Sequence, residues 1–294
     1  MKIAGHTLGT PGMSVPAALH LFHEAGIGAA EIIWTNDYPA GIPEQNNAGV
    51  VAETKQTAAA LGMELAGLTP YMSDFNSLDP QIRQRDFKRM LACIATAAEL
   101  NAPHIRVYAG SFQPGDAERD EKWKWLVDSL QRLGEHAQAA GVLLCAENHF
   151  NTMTVSAAET AALMQAVDSP AVRILYDQAN LAFTHNEPYE QAIPIQRDWI
   201  AHVHVKDLVF VDADKPFTAD AVARVKAEDR AVRSRVVGEG VLDWPGILTA
   251  LNAAGYNGYL SLEYEYRWHP QDLPDPSEGF RRSAVYLGQM LANL

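Results

Sequence analysis

The sequence Ile200-Ala-His-Val-His-Val-Lys-Asp207 has the alternation of a β-strand that carries polar groups along one face. Successive side chains of a strand point to opposite sides, so His202, His204 and Lys206 share a face and the valines point away from it. Two imidazoles and an ammonium pack poorly in an apolar interior. This face therefore either borders a polar site or is bridged by hydrogen bonds inside a core.

Short apolar strands alternate with helices along the rest of the chain. Strands are expected at residues 2–8, 29–34, 63–68, 104–109, 142–147, 172–177, 199–207 and 259–263. Capping residues such as Ser14 and Ser156 mark helix starts, and glycines such as Gly62 and Gly141 mark helix ends. Strands that are apolar throughout and alternate with helices favour an α/β fold with a parallel sheet covered by helices.

Closure of this sheet into a barrel fits the length of the chain. A single (β/α)8 TIM barrel over residues 1–294 accommodates eight strands and eight helices, with an irregular, charged insertion at about residues 208–237. A doubly wound open sheet has the same alternation, but no GxGxxG or Walker-type loop follows any of the strands. We therefore predict one TIM-barrel domain.

The composition argues against several classes of function. A formal net charge of −13 disfavours a surface for nucleic acid or an anionic membrane, which would need a basic patch. Cys93 and Cys145 stand in apolar contexts and form neither a disulfide framework nor a zinc finger. The start of the chain lacks the apolar segment of a signal peptide, and no run approaches the ~18 residues of a membrane helix. A soluble cytoplasmic protein is the expectation.

Four consecutive strands end in an acid or an imidazole, directly after residues of the buried type. These residues are Glu147, Asp177, His204 and Glu263. The strands of a parallel barrel end at one mouth, where the active sites of this fold lie. A single acid at a strand end is usually a helix cap or a rim salt bridge, but four in register favour a shared site. Three carboxylates and one imidazole suit Mn²⁺ or Mg²⁺, with Co²⁺ or Zn²⁺ as alternatives, and an ion would let these acids stay charged.

Other polar residues near the strand ends are candidates for contacts with a substrate. His149 shares a strand face with Glu147 and is a candidate for substrate contact or proton transfer. Lys206 and its neighbour Asp207 either form an internal ion pair or hold substrate. Four more residues end the first, second and fourth strands and either line the pocket or pack structurally: His6, Glu31, Trp34 and Tyr108. His202, one layer below His204, suits a hydrogen-bonded structural role as well as a role in the site.

Five short motifs follow one another in the second half of the chain: AENH at 146–149, DQAN at 177–180, HVKD at 204–207, GEG at 238–240 and SLEYE at 261–265. Together they resemble the sugar isomerase/epimerase family with the xylose-isomerase-like TIM barrel, in the AP endonuclease family 2 superfamily. The resemblance implies one divalent metal ion held by Glu147, Asp177, His204 and Glu263. It favours His204 over His202 because the ligand lies two residues before Lys-Asp.

The sequence departs from one branch of that family directly after Asp177. Ketose 3-epimerases of this kind carry a histidine shortly after the aspartate ligand, whereas Gln178-Ala-Asn180 follows here and His185 comes only later. His185 is retained as a candidate for binding substrate.

The leading hypothesis is isomerisation or epimerisation of a sugar or a sugar-like polyol through an enediolate. A metal ion would chelate a carbonyl and a neighbouring hydroxyl, while Glu147 and Glu263 abstract and return the proton, with His149 as a further acid or base. A lyase shares the first step and then expels a leaving group from the β-carbon. It would dehydrate a keto-inositol or eliminate an aglycone from a 3-keto-glycoside, with His149 or His185 as the acid.

Two further alternatives carry less support. A nuclease resembling endonuclease IV would need several zinc ions, many histidines and a basic DNA-facing surface, and the net charge opposes it. A metal-bound barrel without catalysis is the other. The expected partner is a small sugar substrate, with no nucleic acid and no membrane. The resemblance implies dimers or tetramers, or a second, different subunit in the case of a lyase.

Overall fold

The computed structural model describes residues 1–113, 115–185, 187–212 and 230–294, without the side chains of residues 183–185. In that part of the chain, eight parallel strands close into a ring, confirming the predicted barrel. In ring order they are β1 (Lys2–His6), β2 (Ala29–Trp34), β4 (Glu64–Pro70), β5 (His104–Val107), β6 (Leu143–Glu147), β7 (Val172–Asp177), β8 (Ile200–Val205) and β11 (Tyr259–Leu262). The ring closes where β1 pairs with both β2 and β11.

Helices cover the outside of the ring. Within the described ranges they are α1 (Val15–Glu24), α2 (Ala48–Leu61), α3 (Pro80–Leu100), α4 (Arg119–Ala140), α5 (Ala157–Val167), α6 (Gln178–His185), α7 (Tyr189–Gln196), α8 (Trp244–Ala253) and α9 (Pro276–Leu291). No helix among these is both long and apolar enough to cross a membrane. The architecture is a closed parallel α/β barrel.

The helix boundaries follow from the capping residues in the sequence. Ser14 accepts a hydrogen bond from the Ala17 backbone N–H at the start of α1. Ser156 and Glu159 form the reciprocal capping box at the start of α5. Gly62 and Gly141 end α2 and α4 with φ of +66° and +71°, a conformation that costs glycine little. These local signals place most elements within a few residues of their predicted positions.

The insertion predicted as irregular at about residues 208–237 is partly ordered in strands. β9 (Asp207–Phe210) pairs antiparallel with β10 (Val232–Arg235), forming a ribbon beside the barrel mouth. The expectation was wrong at both ends of the segment, because two short strands separated by more than twenty residues show no hairpin turn in the sequence. Residues 213–229 lie outside the described residues.

Three smaller differences also concern local structure. A two-residue strand, β3 (Gly41–Ile42), pairs with β2 at the edge of the barrel. Helix α6 begins directly after β7, where the Asp177 Oδ1 atom accepts a hydrogen bond from the Asn180 backbone N–H over 2.9 Å. Helix α2 begins at Ala48 rather than at Glu44. The first two reflect short-range contacts that hydrophobic periodicity does not report.

The two faces of each barrel strand have different surroundings. On β8, Val203 and Val205 lie in the main hydrophobic core between the strands and the helices, while His202 and His204 are buried among polar partners inside the ring. On β2, Trp34 lies in the main core, whereas Glu31 contacts both histidines of β8. The interior of the barrel is therefore polar near its mouth.

Candidate metal centre and active site

Four side chains from successive barrel strands converge at the carboxyl ends of the strands. Each offers one ligand atom, and these atoms all lie within 4.8 Å of one another: Glu147, Asp177, His204 and Glu263. All four are buried. The group is the set predicted from the strand ends, because β6, β7, β8 and β11 are parallel neighbours in the ring and their carboxyl ends meet at one mouth.

The imidazole of His204 has one occupied edge and one open edge. Its Nε2 atom lies 3.2 Å from each carboxylate oxygen of Glu31. Its Nδ1 atom faces Glu147 Oε1 at 3.4 Å and Glu263 Oε1 at 3.5 Å. That buried nitrogen has no hydrogen-bond partner among the described residues. Burial opposes the carboxylates of Glu31 and Glu263, which hold the pKa of His204 well above its usual value. In its deprotonated form, this buried nitrogen among carboxylate oxygens fits a divalent cation, which binds oxygen and imidazole nitrogen.

Two buried cations pair with the outer oxygens of the same carboxylates. Lys206 Nζ lies 2.7 Å from Glu263 Oε2 and 2.9 Å from Asp177 Oδ2. Arg106 Nε donates a 2.5 Å hydrogen bond to Glu147 Oε2. Each cation leaves the other oxygen of its glutamate partner facing His204 Nδ1. Two buried cations thus partly offset the charge of the three carboxylates.

The pKa values follow from this balance of burial and charge. Burial alone would raise the pKa of Glu147, but Arg106 and the neighbouring histidines hold it well below its usual value. Burial would also raise the pKa of Glu263, but Lys206 and His204 outweigh burial and lower this pKa to about 2. At Asp177 burial and the two nearby glutamates outweigh Lys206, so that its pKa rises to about 6.

His149 and Tyr108 lie together beside the ligand group. Their rings meet edge to face with centroids 4.7 Å apart, and the Arg106 guanidinium stacks 3.6 Å from the Tyr108 ring centroid. His149 Nδ1 lies 2.7 Å from the Phe150 carbonyl oxygen, so this nitrogen carries the proton and donates it. Burial lowers the pKa of His149 to about 4. The imidazole is therefore neutral near pH 7, with its lone pair at Nε2.

The remaining predicted residues fall into three groups. His6 is buried beside the ligand group, with its ring 5.4 Å from that of His204. Trp34 is almost fully buried in the hydrophobic core, on the opposite face of β2 from Glu31, so the structure does not bring it to the site. The side chain of His185 lies outside the described residues.

Lys206 and Asp207 do not pair with each other, because consecutive side chains leave the strand in opposite directions. The Asp207 carboxylate accepts four backbone N–H groups over 2.9–3.3 Å, from Leu208, Gly238, Gly240 and Leu242. A Cβ atom at Gly240 would lie 2.0 Å from Asp207 Oδ1. The Gly-Glu-Gly motif therefore packs around a buried carboxylate and anchors the segment after β10.

The sequence predicts one residue of the site only in part and another not at all. Arg106 is not predicted, although the alternation of β5 places it with His104 on the interior face. The sequence predicts Glu31 only as a strand-end residue. Its histidine partners on β8 are 171 and 173 residues away along the chain, so no local pattern signals these contacts.

A closed parallel barrel with three acids and an imidazole at its mouth belongs to the class of TIM-barrel proteins with a candidate divalent-metal centre. The sequence profile of the xylose isomerase-like TIM barrel family matches residues 19–288. The chain belongs to this family.

Curated relatives of the chain include inosose dehydratases. One from Geobacillus thermodenitrificans is 32% identical over 146 residues, which cover 50% of this chain and 48% of that protein. One from Clostridium perfringens is 26% identical and covers 81% of this chain and 89% of that protein. The chain thus spans about half the length of the relative that it matches at 32% identity.

Solved structures with the same fold include enzymes of two reaction types. The structure of L-ribulose 3-epimerase superposes with a TM-score of 0.76 at 18% identity, covering 99% of this chain and 95% of that one. The probable 3-DHS dehydratase AsbF from Bacillus anthracis has a TM-score of 0.78 at 17% identity, covering 98% and 99%. At these identities the likeness shows the fold.

Proposed function

We propose that the protein is a divalent-metal-dependent isomerase or epimerase that moves a proton next to the carbonyl of a sugar or sugar-like polyol. The observation that carries the proposal is the open Nδ1 edge of His204, which faces one oxygen each of Glu147 and Glu263. Together with Asp177 these atoms form a compact, buried ligand group at the mouth of the barrel. Active sites of this fold lie at that mouth.

The donor set supports Mn²⁺ as the ion. Three carboxylates and one imidazole, without a thiolate, suit a hard or borderline cation such as Mn²⁺ or Mg²⁺, with Co²⁺ and Zn²⁺ as alternatives. When bound, such an ion supplies Lewis acidity at a substrate carbonyl and lowers the pKa of the adjacent C–H. Metal analysis of the purified protein, before and after exposure to a chelator, tests the stoichiometry and the identity of the ion.

The two glutamates are the proposed proton-transfer pair. Both carry low pKa values because Arg106 and Lys206 offset their burial, so both are ionised at neutral pH. The same two cations lie where negative charge on a reacting oxygen would be stabilised. His149 adds a neutral imidazole whose Nε2 atom can accept a proton. A group of this kind typically contributes a ~10²–10⁴-fold rate enhancement.

The surroundings support a small polyol as substrate. Lys206, Arg106 and Tyr108 bring hydrogen-bond donors to the ligand group, which matches the many hydroxyl oxygens of a sugar. The formal charge of −13 and a ligand group with one imidazole oppose a nuclease with several zinc ions. His185 remains a proposed substrate contact, whereas Trp34 is no longer part of the proposal.

A lyase is the second candidate, and the curated relatives named inosose dehydratase favour it. In that reaction the α-carbon loses a proton, the electron pair forms a C=C bond, and hydroxide leaves the β-carbon as water after protonation. His149 could supply that proton after accepting one from the substrate. An isomerase and a dehydratase share the first step and differ in whether a β-leaving group departs.

Isotope exchange tests the shared step and product absorbance separates the two outcomes. The protein with Mn²⁺ is incubated in D₂O with inosose, D-fructose, D-tagatose, L-ribulose and a 3-keto-glucoside, and the C–H signals are followed by NMR. We expect exchange in at least one substrate, its loss in Glu147→Gln and Glu263→Gln, and its retention in the control Glu278→Gln on the outer helix α9. A new ultraviolet band from a conjugated enone would favour the lyase. Absence of exchange and of product throughout the panel would refute both.

The remaining expectations from the sequence belong to this proposal. A cytoplasmic location and a homo-oligomeric assembly, or a second subunit in the case of a lyase, stay predictions. Fractionation of the source cells and light scattering of the purified protein would test them.

A further inference from the structure

We infer that Glu31 is a positioning residue that presents His204 to the metal ion through Nδ1, held in that role by a directed chain of hydrogen bonds from β1 and β4. The inference rests on the proposed metal centre. It concerns residues of the first half of the barrel, whereas all four proposed ligands come from the second half.

The carboxylate of Glu31 is surrounded by donors. Thr69 Oγ1 donates to Glu31 Oε1 over 2.5 Å, and His202 Nε2 lies 2.8 Å from Glu31 Oε2. His204 Nε2 lies 3.2 Å from each of the two oxygens. Glu31 is 1% exposed, so these contacts replace water entirely. A buried carboxylate without donors would be strongly destabilising, and three donors satisfy it.

The direction of the chain follows from His6. Its Nδ1 atom accepts a hydrogen bond from the Leu8 backbone N–H over 3.0 Å, so Nδ1 carries no proton. The proton of the ring is therefore on Nε2, which lies 2.9 Å from Thr69 Oγ1 and donates to it. The hydroxyl proton of Thr69 is then free to point to Glu31, as its 2.5 Å contact requires. The Leu8 amide thus sets the direction of the hydrogen bonds from His6 through Thr69 to Glu31.

His6, Glu31 and His204 could either hold a metal ion or form a hydrogen-bonded support for His204, and the direction of the hydrogen bonds decides between these roles. Their ligand atoms are close enough to hold a metal ion. However, the lone pair of His6 is taken by the Leu8 amide, and its other nitrogen carries a proton. Both oxygens of Glu31 already accept hydrogen bonds. A cation bound there would have to break these hydrogen bonds and share His204 with the metal centre at the other edge of the ring. Glu31 therefore acts as a hydrogen-bond acceptor for His204 and not as a metal ligand.

The consequence for His204 is a defined tautomer. With Glu31 accepting at Nε2, a His204 ring that gives up its second proton to bind an ion would carry its lone pair at Nδ1, the edge that faces Glu147 and Glu263. Metal-bound histidines usually donate their second ring N–H to a carboxylate or a carbonyl, which fixes the ring and makes it a better ligand. Loss of such a partner typically lowers metal affinity ~10–100-fold.

Calorimetric titration of the full-length protein with Mn²⁺ tests the inference through affinity and stoichiometry. We expect one ion per chain in the unmodified protein, binding ~10–100-fold weaker in Glu31→Gln, and a smaller loss in Thr69→Val, which removes the hydroxyl with little change in volume. The control Asp86→Asn removes a buried carboxylate that pairs with Arg85 and Arg89 on α3. Its affinity for Mn²⁺ should match that of the unmodified protein.

Two results would overturn the inference. One is an affinity for Mn²⁺ that is unchanged in both Glu31→Gln and Thr69→Val. The other is two ions per chain in the unmodified protein, with one ion lost and the second unaffected in Glu31→Gln, because this would identify a metal site at Glu31 itself.

Nitrogen-15 NMR of the metal-free protein separates this inference from the proposed function. We expect slowly exchanging protons on Nε2 of His6, His202 and His204, and none on Nδ1 of His6. A proton on His6 Nδ1, or its absence from His204 Nε2, would refute the hydrogen-bond chain whatever the metal does. Failure of the unmodified protein to bind any divalent ion, with these protons in place, would instead refute the proposed metal centre and with it the role of Glu31 toward the ion.

Discussion

Lys206 Nζ lies 2.7 Å from Glu263 Oε2 inside the barrel mouth, and both side chains are almost completely buried. The same ammonium lies 2.9 Å from Asp177 Oδ2. A single cation thus pairs with two of the three carboxylates in the proposed four-residue ligand group. Removing one partner of a buried ion pair leaves the other charge uncompensated, which is far more costly than losing an exposed pair.

Lys206→Met should therefore destabilise the metal-free protein by ~3–5 kcal/mol. Added Mn²⁺ should recover more stability in this variant than in the unmodified protein, because the ion replaces the missing positive charge. Urea unfolding with EDTA and with MnCl₂ measures both effects. Lys122→Met, which removes a more exposed pair with Asp116, is the control and should cost at most ~1 kcal/mol. Equal stability of Lys206→Met and the unmodified protein in EDTA would contradict the charge balance.

The two histidines of β8 should respond differently to truncation. His204→Ala removes the only imidazole of the four-residue ligand group and should abolish measurable Mn²⁺ binding. His202→Ala leaves the ligand atoms in place but deprives Glu31 of a buried donor, so it should cost ~1–3 kcal/mol of unfolding free energy. Calorimetry and urea unfolding compare the pair. The reverse pattern would mean that the ligand has been assigned to the wrong histidine.

Gly240→Ala should disturb the anchor of the Gly-Glu-Gly motif. The added methyl group would lie 2.0 Å from Asp207 Oδ1, so the carboxylate must move away from the amides that it accepts. We expect a loss of ~1–3 kcal/mol and faster proteolysis between residues 207 and 243. Gly49→Ala is the matched control, because nothing lies within 4 Å of its new methyl group and helix α2 should gain slightly. Equal proteolysis rates in the two variants would argue against this anchor.

The buried His104 should make the folded protein less stable in mild acid. Burial and the nearby His202 lower its pKa from 6.5 to about 4, despite its hydrogen bond to the Ala66 carbonyl. Below pH 6.5 the unfolded chain therefore takes up a proton that the folded protein refuses, and stability falls until the pH nears 4. From pH 7 to pH 5 this residue should account for ~2 kcal/mol.

His104→Asn should remove that part of the pH dependence while keeping a donor for the Ala66 carbonyl. Urea unfolding at pH 7 and pH 5 gives the two slopes to compare. His104 is not among the proposed ligands. The comparison is made in EDTA so that metal binding does not contribute to the pH dependence of stability. If the variant loses as much stability as the unmodified protein between the two pH values, His104 is not the group responsible.

Much of the barrel and of its mouth could be predicted because the relevant signals are local. Glu147 and Asp177 end strands, Glu263 directly follows one, and the strand period alone separates His204 from the valines beside it. A carboxylate directly after an apolar strand lies at the carboxyl edge of a parallel sheet, because the strand before it is buried. The parallel order of the strands then brings these residues together without any long-range information.

The parts that escaped prediction depend on contacts between distant segments. Arg106 and Glu147 are 41 residues apart, and Glu31 meets His202 across 171 residues. Strand alternation gives the face of each side chain but not the partner on the opposite wall of the barrel. The antiparallel ribbon of β9 and β10 was missed for a related reason, since its two strands are joined by a long segment rather than by a turn.

The placement of Glu31 on β2 has a consequence for the order of events in folding. The four ligand residues lie between positions 147 and 263 and could gather while the amino-terminal strands are still unpaired. The ring of His204 acquires its acceptor only when β2 closes against the far wall. The complete metal site would then form late in folding and not in the folding nucleus, so the rate of metal binding would report the rate at which the barrel closes.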